Sequence, residues 1–410
     1  MSLIVQKYGG TSVANIKKIR AVAERVISLH KAGNQMVIVL SAMAGQTDIL
    51  NNMANEIVEG PEPRELDVLL STGEQVSVAL FAMLVKSMGY DACSLLGFQS
   101  EIHTSRLHGK ARILDINNNR ILDELQKNRI VAVAGFQGID EYGDITTLGR
   151  GGSDTTAVAL AASLKADICE IFTDVDGVFT TDPNICKKAR KLSEISYDEM
   201  LEMSSMGAKV LEIRSVEFAK KFSVPIHVRS TFTEEKGTMV VEETQDMEKV
   251  VVAGVAYNKN EARVTIKKVP DHPGVASQIF EPILKAKIIV DMIVQNTSED
   301  GFTDMTFTVA KSDFKATMEV LQDVSDRIGA AKILGDKDIS KVSIIGVGMR
   351  SHAGIARKMF HVLAEENINI LMISTSEIKV SCVIEEKYTE LAVRELHKAF
   401  ELDDEKGTKK

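Results

Sequence analysis

The sequence LIVQKYGGTS, residues 3–12, contains the pattern that decides the fold. Its apolar run Leu3–Tyr8 stops at Gly9-Gly10, and apolar residues then recur at helical spacing from residue 16 to residue 27. This pattern predicts a strand, a glycine turn and a helix capped by Thr11-Ser12.

The same alternation of strands and helices continues along the first 230 residues. Continuous apolar strands that alternate with helices predict an α/β fold with a mainly parallel sheet covered by helices on both faces. Ligands bind such sheets where the strands end. The further elements predicted from apolar spacing are strands at 35–40, 130–135 and 167–173, and helices at 71–88 and 153–165.

Lys7 and the two glycines after it form the first candidate site. The glycines let backbone N–H groups approach a ligand, and the helix N-terminus behind them attracts anions. The alternative is an ordinary turn with a solvated lysine. The sequence contains no GxxxxGK[ST] phosphate loop and no HRD or DFG motif, which excludes those nucleotide-binding classes.

Two later stretches have the same character. Residues 148–155, LGRGGSDT, place three glycines and Arg150 before a helix, which is typical of a carboxylate or phosphate clamp. Residues 173–183, TDVDGVFTTDP, follow a strand and suit a ribose, an adenine edge or a metal-bound phosphate. The alternative for residues 148–155 is a plain glycine-rich connector, and the alternative for residues 173–183 is a pair of plain turns.

The C-terminal part contains an internal repeat. Residues 262–296 and 342–376 align without a gap at an offset of 80, so that His272 meets His352 and Gly274 meets Gly354. Each copy runs strand, short loop, amphipathic helix and strand, which is half of a βαββαβ unit that binds small molecules in pairs. The chain therefore resembles an enzyme that carries its own sensor.

Composition limits the possible partners. The 410 residues contain 49 Lys and Arg against 58 Asp and Glu, a net charge of −9, which argues against nucleic acid and anionic membranes. Four widely spaced cysteines are typical of reduced core thiols in a cytoplasmic protein. The N-terminus has no signal peptide pattern, and no apolar run approaches the roughly 18 residues of a membrane span.

These motifs, in this order, resemble the amino-acid kinase superfamily and, within it, the aspartokinases. The resemblance covers the whole chain and implies an amino-acid kinase domain at 1–245, a first ferredoxin-like ACT domain at 246–336 and a second at 337–410. Residues 213–215 read IRS where some members have His-Pro. The motifs that carry the resemblance are Lys7–Ser12, Ser41-Ala42-Met43, Thr72-Gly73-Glu74, Gly149–Asp154, Thr173–Pro183 and 207–210.

The resemblance implies transfer of phosphate from ATP to the β-carboxylate of L-aspartate, the first step of lysine, threonine and methionine synthesis. A carboxylate nucleophile needs no general base at neutral pH, so the site must bring two anions together and stabilise the charge that spreads between them. Mg²⁺ would be held mainly by the ATP phosphates and water rather than by a protein cage. A kinase of glutamate or N-acetylglutamate is the alternative enzyme. A catalytically inactive sensor would lack Lys7 or Arg150, and both are present.

The family match also suggests roles for single residues. Lys7 and Lys209 would be cations for the phosphates, although Lys209 on sequence alone is also compatible with a solvated helix lysine. Asp154 would order either Lys7 or the metal-bound phosphates. Arg150 would clamp the α-carboxylate of aspartate, and Glu74 would pair with its ammonium unless it is only a first-turn acid of a helix that starts near Ser71. The other substrate candidates are Ser41, Thr47, Gly151, Gly152 and Ser153. The other nucleotide candidates are Tyr8, Gly9, Gly10, Thr173, Asp174, Phe179, Thr180, Thr181, Asp182, Pro183 and Val210.

In family terms, the repeats form an effector pocket for L-lysine, L-threonine or both. The helix after Gly274 would receive a carboxylate, and Asp291 would pair with an ammonium. Leu371 replaces that acid in the second copy. The second copy therefore either binds an effector differently or serves dimer packing. A homodimer or higher oligomer is expected through the ACT domains. The remaining effector candidates are Asp271, Pro273, Met292, Ile293, Gln295, Asn296, Ile355, Ala356, Asn369, Ile370, Ser376 and Glu377.

Overall fold

A computed structural model describes residues 2–207, 210–296 and 301–403. The chain divides into two units, which are described separately. The first comprises residues 2–179 and 191–247, and the second comprises residues 180–190 and 248–403.

The first unit contains two sheets and the helices that cover them. Its strands are β1 (Leu3–Tyr8), β2 (Gln35–Leu40), β3 (Ala92–Leu95), β4 (Ile102–Thr104), β5 (Ile113–Ile116), β6 (Ile130–Ala134), β7 (Gln137–Ile139), β8 (Ile145–Thr147), β9 (Ile168–Thr173), β10 (Glu194–Ser196), β11 (Ile226–Ser230) and β12 (Thr238–Val241). Its helices are α1 (Ile16–Lys31), α2 (Gln46–Ile57), α3 (Pro63–Ser87), α4 (Asn119–Gln126), α5 (Gly152–Leu164), α6 (Tyr197–Ser205) and α7 (Ile213–Phe222), and α8 (Gln245–Glu248) stands at its end.

The larger sheet has the order β10-β12-β11-β9-β1-β2-β6-β3. Every neighbouring pair is parallel except β11 with β12. The predicted parallel sheet is thus confirmed, and β2 has the predicted bounds. The central strand β1 lies between β2 and β9, so its carboxyl end is flanked by strand ends on both sides. The smaller sheet has the order β5-β4-β7-β8.

Strand alternation decides which way the side chains of β1 point. Tyr8 belongs to a buried core that includes Ile38 and Phe81, where α1 and α3 cover the sheet. Its ring stacks on Phe172 with 4.6 Å between ring centroids. Successive residues of a strand face opposite sides. Lys7 therefore points to the other face, where α5 packs on β1.

Two helices begin elsewhere than predicted. Thr11 and Ser12 lie in a short 3-10 turn, and α1 is capped by Asn15, whose side chain accepts a hydrogen bond from the backbone N–H of Lys18 at 3.0 Å. Helix α3 begins at Pro63, eight residues before the predicted start at Ser71. Proline suits the first helical position because its fixed φ is already helical.

The expectation that no segment approaches a membrane span is corrected for helix α3, which is long and apolar enough, by length and composition, to cross a membrane. Its residues Val78, Phe81 and Val85 are fully buried in the core of the first unit. Asp67 and Glu74, further toward its N-terminus, are also buried. The helix therefore packs as a core helix of the α/β body.

The second unit carries the repeat. Its elements are β13 (Gly254–Pro270), α9 (Val275–Lys285), β14 (Val290–Asn296), β15 (Phe302–Ala310), α10 (Phe314–Ile328), β16 (Lys332–Ile345), α11 (Ile355–Glu365), β17 (Met372–Thr375), β18 (Lys379–Glu385) and α12 (Thr389–Ala399). They build a six-stranded sheet of order β14-β15-β13-β16-β18-β17. Gly274 and Gly354 precede α9 and α11 with φ of +94° and +91°, so the two copies have the same loop geometry.

The contiguous boundaries predicted for the two ACT domains do not follow the packing. Val255 shares a core with Val342 and Met359 of the second copy, although it precedes the first copy in sequence. The first copy has its own core around Ile279 and Phe307. The long strands β13 and β16 pair along most of their length and so contribute to both copies, which a linear division at residues 336 and 337 cannot represent.

Gly237 offers a test of the β11–β12 pairing. A Cβ on Gly237 would lie 1.7 Å from the carbonyl oxygen of Val228 on the paired strand, so Gly237→Ala must push the strands apart. We expect a loss of about 3 kcal/mol or more in the free energy of unfolding, measured by urea denaturation. Gly33→Ala is the control, because its φ of +92° is costly but nothing lies within 4 Å; it should lose only about 1–2 kcal/mol. Equal losses would contradict this account.

Candidate active site

A cavity of about 660 Å³ opens in the first unit at the carboxyl end of β1. Two glycine turns, one after β1 and one before α5, form part of its wall, and the N-terminal half of α3 forms another part. Among the sequence candidates, those that line it are Lys7, Gly9, Gly10, Ser41, Thr47, Glu74, Arg150, Gly151, Gly152, Ser153 and Asp154. The structure therefore brings together residues that are up to 147 positions apart in sequence, Lys7 and Asp154 being the extremes.

Lys7 and Asp154 form an ion pair in this wall. The Lys7 Nζ lies 2.6 Å from Asp154 Oδ1, and their side chains are only 12% and 11% exposed. Asp154 stands in the first turn of α5, where the helix dipole favours a carboxylate. The pair holds an ammonium group at the cavity in a place largely withdrawn from water.

The glycines allow close backbone approaches on both sides of the cavity. Gly149 and Gly151 have φ of +80° and +69°, which side chains rarely adopt. A Cβ on Gly10 would lie 2.8 Å from the carbonyl oxygen of Ala42. Arg150 stands exposed between its two glycines and lines the cavity.

Glu74 has an unusual environment for a carboxylate. It is 3% exposed; its Oε1 accepts a hydrogen bond from the Ala42 N–H at 2.9 Å, and its Oε2 has no hydrogen-bond partner among the described residues. Burial raises the pKa of Glu74 to about 7. Because α3 starts at Pro63, Glu74 lies in the fourth turn and not the first. The alternative of a first-turn acid is therefore wrong.

Several nucleotide candidates lie outside the cavity wall. Tyr8 is fully buried against Phe172, so its side chain cannot contact a ligand, and this part of the prediction is corrected. Lys209 lies outside the described residues, and its role stays a prediction. Thr173, Asp174, Phe179 and Val210 belong to the first unit but do not line this cavity.

Residues Thr180 to Pro183 belong to the second unit. Thr180 Oγ1 lies 2.9 Å from Nε2 of the buried His397. The backbone carbonyl of Thr180 accepts a hydrogen bond from the Val255 N–H at 2.8 Å. The Tyr257 hydroxyl donates to Asp182 Oδ2 at 2.9 Å. Their nucleotide role stays a prediction, since these bonds only show which unit the segment packs with.

Asp67, Gly109 and Thr147 are among the residues of the cavity wall that the sequence did not reveal. Asp67 precedes Glu74 by seven residues, which places both acids on one face of α3. A correct helix start at Pro63 would have made this spacing visible. Glu212 was also missed; it stands so close to Gly151 that a Cβ there would meet its side chain at 2.6 Å.

The effector candidates all lie in the second unit. Asp271, Pro273 and Gly274 are exposed in the loop before α9, and Ile293, Gln295 and Asn296 are exposed on the edge strand β14. Met292 is 6% exposed and packs with Met372 and Val383, so its side chain is part of a core and not of a pocket surface. From the second copy, Asn369, Ser376 and Glu377 are exposed, and Ile355, Ala356 and Ile370 are half-buried.

Asp291 already has a partner in the chain. The ammonium of the buried Lys341 forms an ion pair with Asp291, and its Nζ also lies 3.0 Å from Glu261 Oε1. Burial alone would raise the pKa of Asp291, but Lys341 holds it below its ordinary value. The side chain of Asp291 is still 48% exposed, so an ammonium from solution can reach it.

Within the described parts of the chain, no group of three or more His, Cys, Asp or Glu side chains is arranged to hold a metal ion. The cysteines Cys93, Cys169, Cys186 and Cys382 are free thiols, and all except Cys93 are buried.

Family models match most of the chain. The model of the amino acid kinase family matches residues 2–230, and models of the ACT domain match residues 263–326 and 342–400. The two ACT matches fall on the two copies of the repeat.

Named relatives match over nearly the full length. An aspartate kinase of Stutzerimonas stutzeri is 56% identical over 408 residues, which are 99% of each chain. Aspartokinase III of E. coli, solved in an R state with aspartate and ADP, is 26% identical with a TM-score of 0.81 over 97% of this chain and 99% of that one. The same enzyme in a T state with lysine and aspartate has a TM-score of 0.76 over the same shares.

The raised pKa of Glu74 predicts how stability depends on pH. A carboxyl group whose pKa is higher in the folded state favours folding at low pH, and that contribution is lost as the pH rises from about 4.5 to about 7. Glu74→Gln keeps the hydrogen bond from Ala42 and removes the buried charge. We expect the variant to be more stable than the parent at pH 8, by up to about 3 kcal/mol, with the difference vanishing near pH 4. Urea titrations of both proteins at the two pH values measure this. A difference independent of pH would contradict it.

Proposed function

The chain belongs to the aspartokinases of the amino acid kinase family, and we propose that its first unit phosphorylates the β-carboxylate of L-aspartate with ATP to give 4-phospho-L-aspartate. The observation that carries this proposal is the cavity at the end of β1. It combines a cation held by Asp154, an arginine on a glycine turn, and a buried carboxylate, one oxygen of which has no hydrogen-bond partner among residues 2–207, 210–296 and 301–403.

Arg150 and Glu74 suit the two charges on the α-carbon of the acceptor, and Lys7 suits the phosphoryl group of the donor. Arg150 can clamp an α-carboxylate with its guanidinium fork. The partnerless Oε2 of Glu74 can accept from an α-ammonium, and such a charge would restore the ionised form that burial disfavours. The side-chain carboxylate is then left to face Lys7, so the enzyme selects one carboxylate of aspartate by binding its other two charges.

Lys7 is assigned to the transferring phosphoryl group. A carboxylate attacks phosphorus without prior loss of a proton, so catalysis depends on orientation and on stabilising the charge that spreads over the phosphoryl oxygens. The ammonium of Lys7 is held in place before substrate arrives, because Asp154 lies 2.6 Å away. A preorganised cation in a site with little water is effective at this task.

The nucleotide role of the remaining candidates is part of the same proposal. We assign Gly9 and Gly10 to the phosphates, and Lys209, Val210 and the stretch 173–183 to the nucleotide, as the family resemblance implies. Mg²⁺ would enter on the phosphate oxygens of ATP and offset part of their charge. Asp154 is a carboxylate of the cavity wall that could contact its water shell.

The second unit is proposed to bind a feedback effector. Aspartokinase III of E. coli was solved with lysine in a T state, and the exposed Asp291 of this chain suits an amino-acid ammonium. We infer that lysine, threonine or both inhibit this chain, that it acts in the cytoplasm at the start of lysine, threonine and methionine synthesis, and that the edge strand β14 pairs copies into a dimer or higher oligomer.

The assay for the proposed function is formation of an acyl phosphate. With ATP, Mg²⁺ and L-aspartate, the parent should release ADP and form a hydroxamate with hydroxylamine. Lys7→Ala should lower kcat by roughly a hundredfold or more, because its ammonium acts mainly in the transition state.

Lys17→Ala is the matched control for that variant, since Lys17 is an exposed lysine of α1 outside the cavity, and its kcat should equal that of the parent. Equal or faster turnover of glutamate or N-acetylglutamate by the parent would reject the proposed substrate. A kcat of Lys7→Ala within about threefold of the parent would reject the role of Lys7.

The effector proposal has its own test. Lysine, threonine or their equimolar mixture should inhibit the parent at millimolar concentration, and Asp291→Ala should raise the half-inhibiting concentration about tenfold or more, since a coupling of about 1–3 kcal/mol suffices for strong inhibition. Asp336→Asn is the matched control, because Asp336 also pairs with a basic residue of this sheet, Arg263, at 3.2 Å. A parent that ignores all three additions, or an Asp291→Ala enzyme as sensitive as the parent, would refute the effector site.

A further inference from the structure

We propose that Asp67 is a positioning residue of the acceptor site: it fixes the glycine turn that carries Arg150 and does not itself bind the substrate. The inference deepens the proposed function and rests on it, because that function places the acceptor's α-carboxylate on Arg150. It starts from the hydrogen bonds of one buried carboxylate.

Asp67 is 1% exposed and accepts hydrogen bonds from four donors. His108 Nδ1 lies 2.9 Å from Oδ2, and the Gly109 N–H lies 3.1 Å from Oδ1 and 3.0 Å from Oδ2. The Thr147 N–H donates to Oδ2 at 3.0 Å, and its hydroxyl donates to Oδ1 at 2.5 Å. One carboxylate therefore joins α3, the loop at 108–109 and the end of β8.

The end of β8 and the loop at 108–109 both adjoin the glycine turn that carries Arg150. Thr147 is the last residue of β8 and precedes Arg150 by three positions. The backbone of Gly149 lies against the other loop, because a Cβ there would be 2.9 Å from the Gly109 carbonyl oxygen. The Ala111 N–H also donates to the Thr147 carbonyl at 2.9 Å. A displacement of the Asp67 carboxylate would therefore move the turn that carries Arg150 both through Thr147 and through Gly109.

Glu74 shows why Asp67 is not a second substrate ligand. The two acids lie on one face of α3, and both line the cavity. Both oxygens of Asp67 are occupied by protein donors, whereas Glu74 keeps one buried oxygen without a partner among the described residues. A buried carboxylate whose bonding capacity is used within the protein has a structural task. The binding of an ammonium falls to Glu74.

The test compares Asp67→Asn with the parent in steady-state kinetics. Asparagine keeps the volume but turns one acceptor oxygen into a donor amide that faces N–H groups. We expect the KM for aspartate to rise tenfold or more, the KM for ATP to stay within about twofold, and kcat to change less than the aspartate KM. Thr147→Val removes one hydroxyl donor with little change of shape and should raise the aspartate KM in the same direction by a smaller factor.

Asp140→Asn is the matched control. Asp140 is also buried, at 3% exposure, and accepts from the Tyr142 and Asp144 N–H groups at 2.9 Å in the turn between β7 and β8, but it does not line the cavity. Its variant should keep both parental KM values even if its melting temperature falls.

An equal rise of both KM values in Asp67→Asn, or the same selective rise in Asp140→Asn, would overturn the proposal. If Asp67→Asn does not fold, Thr147→Val decides, and a parental aspartate KM in that variant overturns it. A parent that phosphorylates another carboxylate would refute the proposed function instead, and the KM for that acceptor would then replace the aspartate KM in the comparison.

Discussion

The ion pair between Lys7 and Asp154 joins two of the chain segments that form the cavity wall, the end of β1 and the start of α5. Lys7 is the penultimate residue of β1, the central strand of the parallel sheet, and Asp154 lies in the first turn of α5, which packs on the opposite face from Tyr8. Both side chains are about nine-tenths buried, so the removal of either partner would leave the other without its nearest opposite charge. In the glycine turns beside the pair, a Cβ on Gly10 would lie 2.8 Å from the carbonyl oxygen of Ala42, and a Cβ on Gly149 would lie 2.9 Å from that of Gly109, so both positions need glycine.

The buried acids of α3 add a second constraint. Both oxygens of Asp67 accept hydrogen bonds within the protein, whereas Glu74 Oε2 has no partner in the part of the chain that the structure describes. The cavity wall therefore carries the ammonium of Lys7 at one part and a carboxylate with a raised pKa at another. A zwitterionic acceptor with an additional carboxylate is complementary to this arrangement.

Much of this could be predicted from the sequence, because strand, glycine turn and helix signals are local. The parallel sheet, the bounds of β2 and the two copies of the repeat were visible in this way. The grouping of Lys7, Glu74, Arg150 and Asp154 was implied by the resemblance to the aspartokinases, and all four line one cavity. The features that could not be predicted from the sequence depend on tertiary contacts. Asp67 is revealed only by the helix start at Pro63, and the burial of Tyr8 and Met292 depends on which neighbours stack on them. The packing of residues 180–190 with the second unit follows from bonds to His397 and Tyr257, which lie far along the chain.

The central claim is that the cavity binds the α-carboxylate and the ammonium of aspartate and so leaves only the side-chain carboxylate to accept phosphate. Trapping the product with borohydride tests this directly, since reduction of an acyl phosphate converts the phosphorylated carboxyl group into an alcohol. The account predicts homoserine, the product of phosphorylation at the side chain. Recovery of 3-amino-4-hydroxybutanoate, which arises from phosphorylation of the α-carboxylate, would contradict it.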